Sequence, residues 1–254
     1  MKIGKLAAAA FVACSLVGCV QNPKHGILCL TFDDPNWERW EAAMPLFEKY
    51  GARASFFPSG ALDDRALASL KKLHDAGHAV GPHTLHHADG PQIAAEKGVE
   101  AFWTAEVKPQ MDAFAKAGLR PKALAYPNNR HTPELDADLQ KRGFVRFRCG
   151  AEGKDWGPNR FGLKHATAES AYAPAPDFGS MTAMKGIGVG EYYKTDIDDL
   201  LTAIDRIAER NECLTFYSHD IRPDAKGVNM KTEWLEKILA RAAEKGVEFR
   251  TLED

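Results

Sequence analysis

Short apolar runs alternate with longer stretches of helical spacing along most of the chain. Runs at 27–32, 53–57, 78–81, 122–126, 144–148, 213–217 and 247–251 read as strands. Stretches near 36–49, 64–76, 92–117, 133–142, 197–210 and 231–245 repeat their apolar residues at the three-to-four spacing of a helix. Gly51, Gly77, Gly118, Gly143 and Gly246 stand after helical stretches, where a left-handed C-cap is expected. Repeated strand–helix units predict an α/β fold with a mostly parallel sheet, open or closed into a barrel. The region 150–195 is rich in Gly, Pro and Ala, and its pattern assigns no element.

Parallel folds of this kind carry their chemistry at the C-terminal ends of the strands, and polar residues recur there. Asp33 and Asp34 come after ILCLTF; His83 and His87 after HAVG; Tyr126, Pro127 and Asn128 after KALA; His219 and Asp220 after CLTFYS. A helix cap accounts for Asp34, with Pro35 as the first helical residue, but leaves Asp33 without a role. A site at one rim accounts for both. His83 and His87 are four apart, so one helical turn would face both rings the same way. Two imidazoles and a carboxylate suit a zinc-like divalent ion and leave one coordination position open.

Composition narrows the function only a little. The 254 residues are 44% hydrophobic and 27% charged, with a formal net charge of -2, so no basic footprint for nucleic acid exists. No linker, charge block or repeat divides the chain. Residues 1–18 read as a signal peptide: Lys2 and Lys5 precede an apolar run too short to span a membrane. Leu16-Val17-Gly18-Cys19 resembles a bacterial lipobox, which would make Cys19 the lipidated mature N-terminus and 19–25 a short tether. An ordinary secretory signal cut nearby also means export, and an uncut anchor is the third reading. The expected location is lipid-anchored at a bacterial membrane, periplasmic or surface-facing. Cys29, Cys149 and Cys213 remain; an odd number cannot all pair within one chain, and the apolar runs around Cys29 and Cys213 favour buried thiols.

From about Gly26 to the C-terminus the chain resembles the polysaccharide deacetylases of the NodB-homology type, carbohydrate esterase family 4. The resemblance rests on Thr31-Phe32-Asp33-Asp34, on His83-Thr84-Leu85-His86-His87 about fifty residues later, and on the strand ending at His219. It implies that 26–254 is one catalytic domain with a distorted, incomplete (β/α) barrel. It implies that Asp34, His83 and His87 hold the metal, that Asp33 is the general base, and that His219 protonates the leaving amine. A backbone N–H near Asn128 would face the oxyanion, with Tyr126, Pro127, Trp156 and Tyr217 also at the substrate. The metal would be Zn, with Co, Ni, Mn or Fe as alternatives.

Two departures and one partial match bear on substrate. The family often carries an Arg before the proline of its third motif, where this chain has Ala125-Tyr126-Pro127; Arg130 is the nearby substitute. Asp155-Trp156 resembles the end of the fourth motif, whose Trp walls the acetyl pocket. Tyr217 stands where a Leu is usual, which implies a different acetyl pocket. Of the tryptophans, Trp37 beside the Asp-Asp turn is the candidate for sugar stacking; of the remaining histidines, His131 is the one near the same rim. The expected function is release of acetate from N-acetylated amino sugars of a cell-wall or extracellular polysaccharide or oligosaccharide. An O-acetyl esterase, or a glycan-binding surface lipoprotein without turnover, are the alternatives.

Overall fold

The computed structural model describes residues 26–150 and 169–254. The N-terminal half runs β1 (Ile27–Asp33), α1 (Trp37–Lys49), β2 (Ser55–Phe57), α2 (Asp64–Asp75), β3 (Ala79–Val80), α3 (Gly90–Lys97), α4 (Val99–Phe102), a π-helical turn (Trp103–Val107) and α5 (Lys108–Lys116). Next come β4 (Ala123–Ala125), α6 (Pro133–Lys141), β5 (Arg146–Gly150), β6 (Ala173–Pro174), β7 (Ala183–Gly188), α7 (Ile197–Arg210) and β8 (Glu212–Ser218). The short pair β9 (Ile221–Arg222) and β10 (Met230–Lys231), α8 (Thr232–Glu244) and β11 (Glu248–Arg250) complete the described chain.

The principal strands lie in the order β3-β2-β1-β8-β7-β5-β4, all parallel to their neighbours. β1 is at the centre: β8 pairs along one edge, while β11 and β2 share the other. The two ends of the sheet meet, because the Ala125 N–H donates to the Pro82 carbonyl at 3.2 Å. The result is a nearly closed barrel with helices outside, as the strand–helix alternation predicts.

Side-chain alternation sorts every strand into an outer and an inner set. Leu28, Leu30 and Phe32 of β1, with Leu214 and Phe216 of β8, pack outward against Trp40 and Phe47 of α1, Ile204 and Ile207 of α7, and Leu235 and Leu239 of α8. Ile27, Cys29 and Cys213 lie in the inner cluster with Phe57, Ala123, Phe178 and Met184. The same parity turns Asp33 inward at the end of β1, on the side of Tyr217 of β8. Arg146 and Arg148 of β5 also face in. Arg146 plugs the lower barrel by donating to the carbonyls of Met181, Leu252 and Phe178. Cys29, Cys149 and Cys213 are free and buried, as their surroundings suggest.

All seven expected strands exist, and the five glycine stops have positive φ. One expected element is broken, and the unassigned region gains a strand. The helix anticipated over 92–117 is broken: Gly98, at φ 86°, ends α3, and the π turn divides the rest of the run. Region 169–195 contains a full sheet strand, β7, whose Ala-Met-Lys-Gly-Ile-Gly sequence carries no strand pattern. Its glycines answer a packing demand: a Cβ at Gly186 would meet the Tyr217 ring at 2.9 Å, and one at Gly188 the Tyr193 ring at 2.5 Å.

The seam between β3 and β4 needs the same economy. A Cβ on Gly81 would lie 2.2 Å from the Ala123 carbonyl oxygen and 2.9 Å from the Phe57 ring. Gly81→Ala is therefore expected to lower stability in urea by about 1–3 kcal/mol, the usual cost of overpacking; unchanged stability would mean that the seam is loose.

Candidate active site

Local geometry at the end of β1 separates the two aspartates. Asp33 is still in the strand, paired in register with Phe57. Asp34 turns into the left-handed region at φ 72°, and its N–H donates to the Phe57 carbonyl at 3.1 Å. The helix-cap reading of Asp34 is thereby corrected: α1 starts at Trp37, and Asn36 occupies the cap position. Asn36 instead ties the turn together, donating Nδ2 to the Asp33 carbonyl at 3.1 Å. Asp34 carries its carboxylate towards the rim, where Ser59 Oγ donates to Oδ1 at 3.1 Å.

His83 and His87 do not share a helical turn. Their segment is irregular, with Thr84 at φ 67° and His87 at φ 52°. Left-handed residues at 84 and 87 fold the segment back on itself, and the rings still meet edge to face with centroids 5.0 Å apart. Both Nε2 atoms lie 4.0 Å from Asp34 Oδ1. One ligand atom from each of Asp34, His83 and His87 falls within 4.8 Å of the others. A tetrahedral Zn with bonds of about 2.0–2.1 Å holds its donors about 3.3 Å apart, so a modest closure suffices and the donor set fits a divalent ion.

The hydrogen bonds also fix the tautomers. His83 Nδ1 contacts the Ala125 carbonyl at 2.8 Å, and His219 Nδ1 contacts the Val228 carbonyl at 3.1 Å. A carbonyl can only accept, so each Nδ1 carries the proton in the neutral ring and Nε2 offers a lone pair. Burial pushes the His83 pKa down to about 4, against the opposing pull of Asp33, so the ring is neutral and ready to ligate. His219 Nε2 stands 3.7 Å from Asp34 Oδ2. Trp40 Nε1 donates to the His219 carbonyl at 2.8 Å, an anchor that the sequence pattern does not reveal.

The main residue that sequence reasoning misses is Arg148. It is 1% exposed, donates Nη2 to Asp33 Oδ2 and Nη1 to Asn129 Oδ1, and lies over the Tyr217 ring at 4.8 Å. Burial is the largest single influence and raises the Asp33 pKa, but the charge of Arg148, its hydrogen bond and the neighbouring imidazoles together outweigh it and hold the carboxyl below its usual range. The free Asp33 Oδ1 is buried without a partner. Arg130, the substitute suggested by spacing, is surface-exposed and pairs with Asp89. Arg148 is hidden in the sequence because it comes from a different strand, whose alternation puts the guanidinium inside the barrel.

Asp33, Asp34, His83, His87, Asn128, Asn129, Arg148, Tyr192, Tyr193, Tyr217, His219 and Val228 line a cleft of about 310 Å³. A larger groove of about 460 Å³ runs between α1 and Arg222–Pro223, but its lining contains no acid or imidazole. Asn128 reaches the cleft; Tyr126 and Pro127 do not. Tyr126 is fully buried, with its hydroxyl donating to Asp136 Oδ1 at 2.8 Å, because β4 alternation turns the ring towards α6. His131 pairs with the other oxygen of Asp136 at 2.8 Å and so serves this buttress. Trp37 is half-buried in a separate depression with Asn36 and Asp220. Tyr217 is on the cleft floor, where its hydroxyl accepts from Asn129 Nδ2 at 3.0 Å. Asp155, Trp156 and Cys19 lie outside the described residues.

Comparison with known proteins agrees with this geometry. Residues 21–146 match the family model described as polysaccharide deacetylase. A chitin deacetylase of Arthroderma benhamiae is 35% identical over 160 residues, 61% of this chain. The chain belongs to the polysaccharide deacetylase family. The aligned region spans about 40% of the length of that curated relative. Among solved structures, the chitin deacetylase of Colletotrichum lindemuthianum superposes with a TM-score of 0.57 at 17% identity, covering 91% of this chain and 87% of that one. A family 4 acetyl xylan esterase from Clostridium thermocellum, in complex with cobalt, gives 0.56 at 20% identity, covering 89% and 88%. At these identities the superpositions establish the NodB-type barrel.

Replacing Arg148 with Met leaves the Asp33 charge buried and alone, a change that costs about 3–5 kcal/mol in such pairs. Urea denaturation should show a loss of that size, with Arg148→Lys intermediate. Equal stability in all three proteins would show that the pair contributes nothing.

Proposed function

We propose that this family hydrolase is a metal-dependent N-deacetylase acting on amino sugars of a cell-wall or extracellular polysaccharide. The observation that carries the reading is the arrangement of Asp33 and His219 around the Asp34-His83-His87 donor set, within one cleft. A divalent ion held there supplies Lewis-acid activation of water and of the acetamide carbonyl.

The residues of the chain supply the proton movements. Asp33 is ionised, and its unpartnered Oδ1 accepts one proton as a water oxygen bonds to the acetamide carbon. As the C–N bond breaks, the amine nitrogen takes a proton from His219 Nε2, the ring acting in this step in its doubly protonated form with Nδ1–H still held by the Val228 carbonyl. Acetate and a free amino sugar leave. The oxyanion is expected beside Asn128, whose left-handed backbone, at φ 54°, turns at the cleft wall. Tyr192 is 58% exposed at the rim and gives a sugar ring an aromatic edge.

A second reading, hydrolysis of O-acetyl esters, is favoured by the polar cleft floor of Tyr217, Asn129 and Arg148. The same residues would serve it, with an alcohol leaving in place of an amine. Acetate release by the purified protein across N- and O-acetylated glycans, after chelation and with zinc restored, separates the two. Zinc-restored release from an N-acetyl glycan is expected; release from esters alone would transfer the protein to the esterases. Asp33→Asn should reduce turnover by about a hundredfold or more, the scale of a general base. Retained turnover in that variant would remove Asp33 from the mechanism.

The proposed location is a bacterial membrane surface reached through lipidated Cys19. No helix among the described residues is long and apolar enough to cross a membrane. Cys19→Ala is expected to shift the protein from the membrane to the soluble fraction; unchanged fractionation would refute the anchor.

A further inference from the structure

A second buried carboxylate lies beside the donor set and takes no part in the chemistry above. Glu106 belongs to the π-helical turn Trp103–Val107 and is 4% exposed. Such turns insert one residue into a helix and redirect the side chains around it. Glu106 Oε2 accepts the His86 N–H at 2.9 Å, Oε1 pairs with His86 Nδ1 at 2.9 Å, and the Glu106 carbonyl accepts the Leu85 N–H at 2.9 Å. One residue therefore grips both Leu85 and His86, in the middle of the segment whose ends are His83 and His87.

Gln110 lies four residues on, along the same helical run, and is also buried. Its Nε2 donates to the carbonyls of Pro58 and Gly60 at 2.9 and 2.8 Å, while its Oε1 has no partner. Burying an amide with one end unsatisfied costs stability, so this side chain is kept for its donor end. The loop it holds presents Ser59 to Asp34. That loop also joins the histidine segment directly: His83 N–H donates to the Pro58 carbonyl and Gly60 N–H to the Thr84 carbonyl, both at 3.1 Å.

Both irregular loops beside the donor set thus hang from one helical run. The histidine segment has no regular secondary structure to hold its left-handed turns at Thr84 and His87. We propose that Glu106 and Gln110 are positioning residues that set the spacing of Asp34, His83 and His87 for a divalent ion. This rests on the reading of those three residues as a metal site.

The test is zinc affinity of the purified full chain, measured by competition with a chromophoric chelator, alongside thermal melting of the metal-free protein. Loss of an outer partner of a metal ligand typically costs about 10–100-fold in affinity. Glu106→Ala and Gln110→Leu are expected to lose affinity on that scale, with Glu106→Gln recovering part of it. His86→Ala, which leaves the backbone bonds to Glu106 intact, is expected to lose less and provides a mild variant should the others fail to fold. Variants that melt lower yet bind zinc as tightly as the parent would reduce Glu106 and Gln110 to structural residues and overturn the proposal. A parent chain that binds no zinc would instead overturn the metal-site reading on which it rests.

Discussion

The ion pair between Asp33 and Arg148 is the constraint around which the upper barrel is built. Two charges buried together cost several kcal/mol each in lost hydration, and geometry must recover it. Here the guanidinium is shared between Asp33 and Asn129 and covered by the Tyr217 ring. Tyr217 packs edge to face on Tyr193 at 5.2 Å, and both rings occupy space that Gly186 and Gly188 leave open. The pair also resolves the crowding of two adjacent carboxylates. Arg148 neutralises Asp33 from inside the barrel, so the Asp34 charge remains available to a cation at the rim.

The strands, the polar residues at their ends and the glycine stops were legible because each is a local pattern. β1 is a continuous apolar run because it is buried on both faces. Arg148 was not legible for the opposite reason. Its role depends on which face of β5 looks inward, and Arg-Phe-Arg puts two charges on the face that ought to be apolar. β7 was invisible because its glycines answer to rings elsewhere in the chain: Gly186 makes room for Tyr217, and Gly188 for Tyr193. His83 and His87 were brought together by left-handed turns, where their spacing suggests a helix. In each case a tertiary contact overrode the local signal.

The helix predicted over 92–117 shows the same override in another form. A continuous helix would present a regular face to the barrel, whereas its division at Gly98 and the π turn directs Glu106 and Gln110 towards two irregular loops. Regularity is given up where the site needs support. The outer helices with no such duty, α7 and α8, stay uninterrupted and bury aliphatic stripes instead.

Ala125 has two roles through its backbone alone. Its N–H closes the barrel on Pro82, and its carbonyl orients His83 by accepting from Nδ1. Closure of the seam and preparation of the ligand are therefore one event. A barrel that opens between β3 and β4 loses the His83 tautomer lock at the same moment. By mass action, any cation that prefers the closed arrangement shifts the seam equilibrium towards closure. Occupancy of the rim and cohesion of the whole β-ring are thermodynamically linked, although the donors occupy only one end of it.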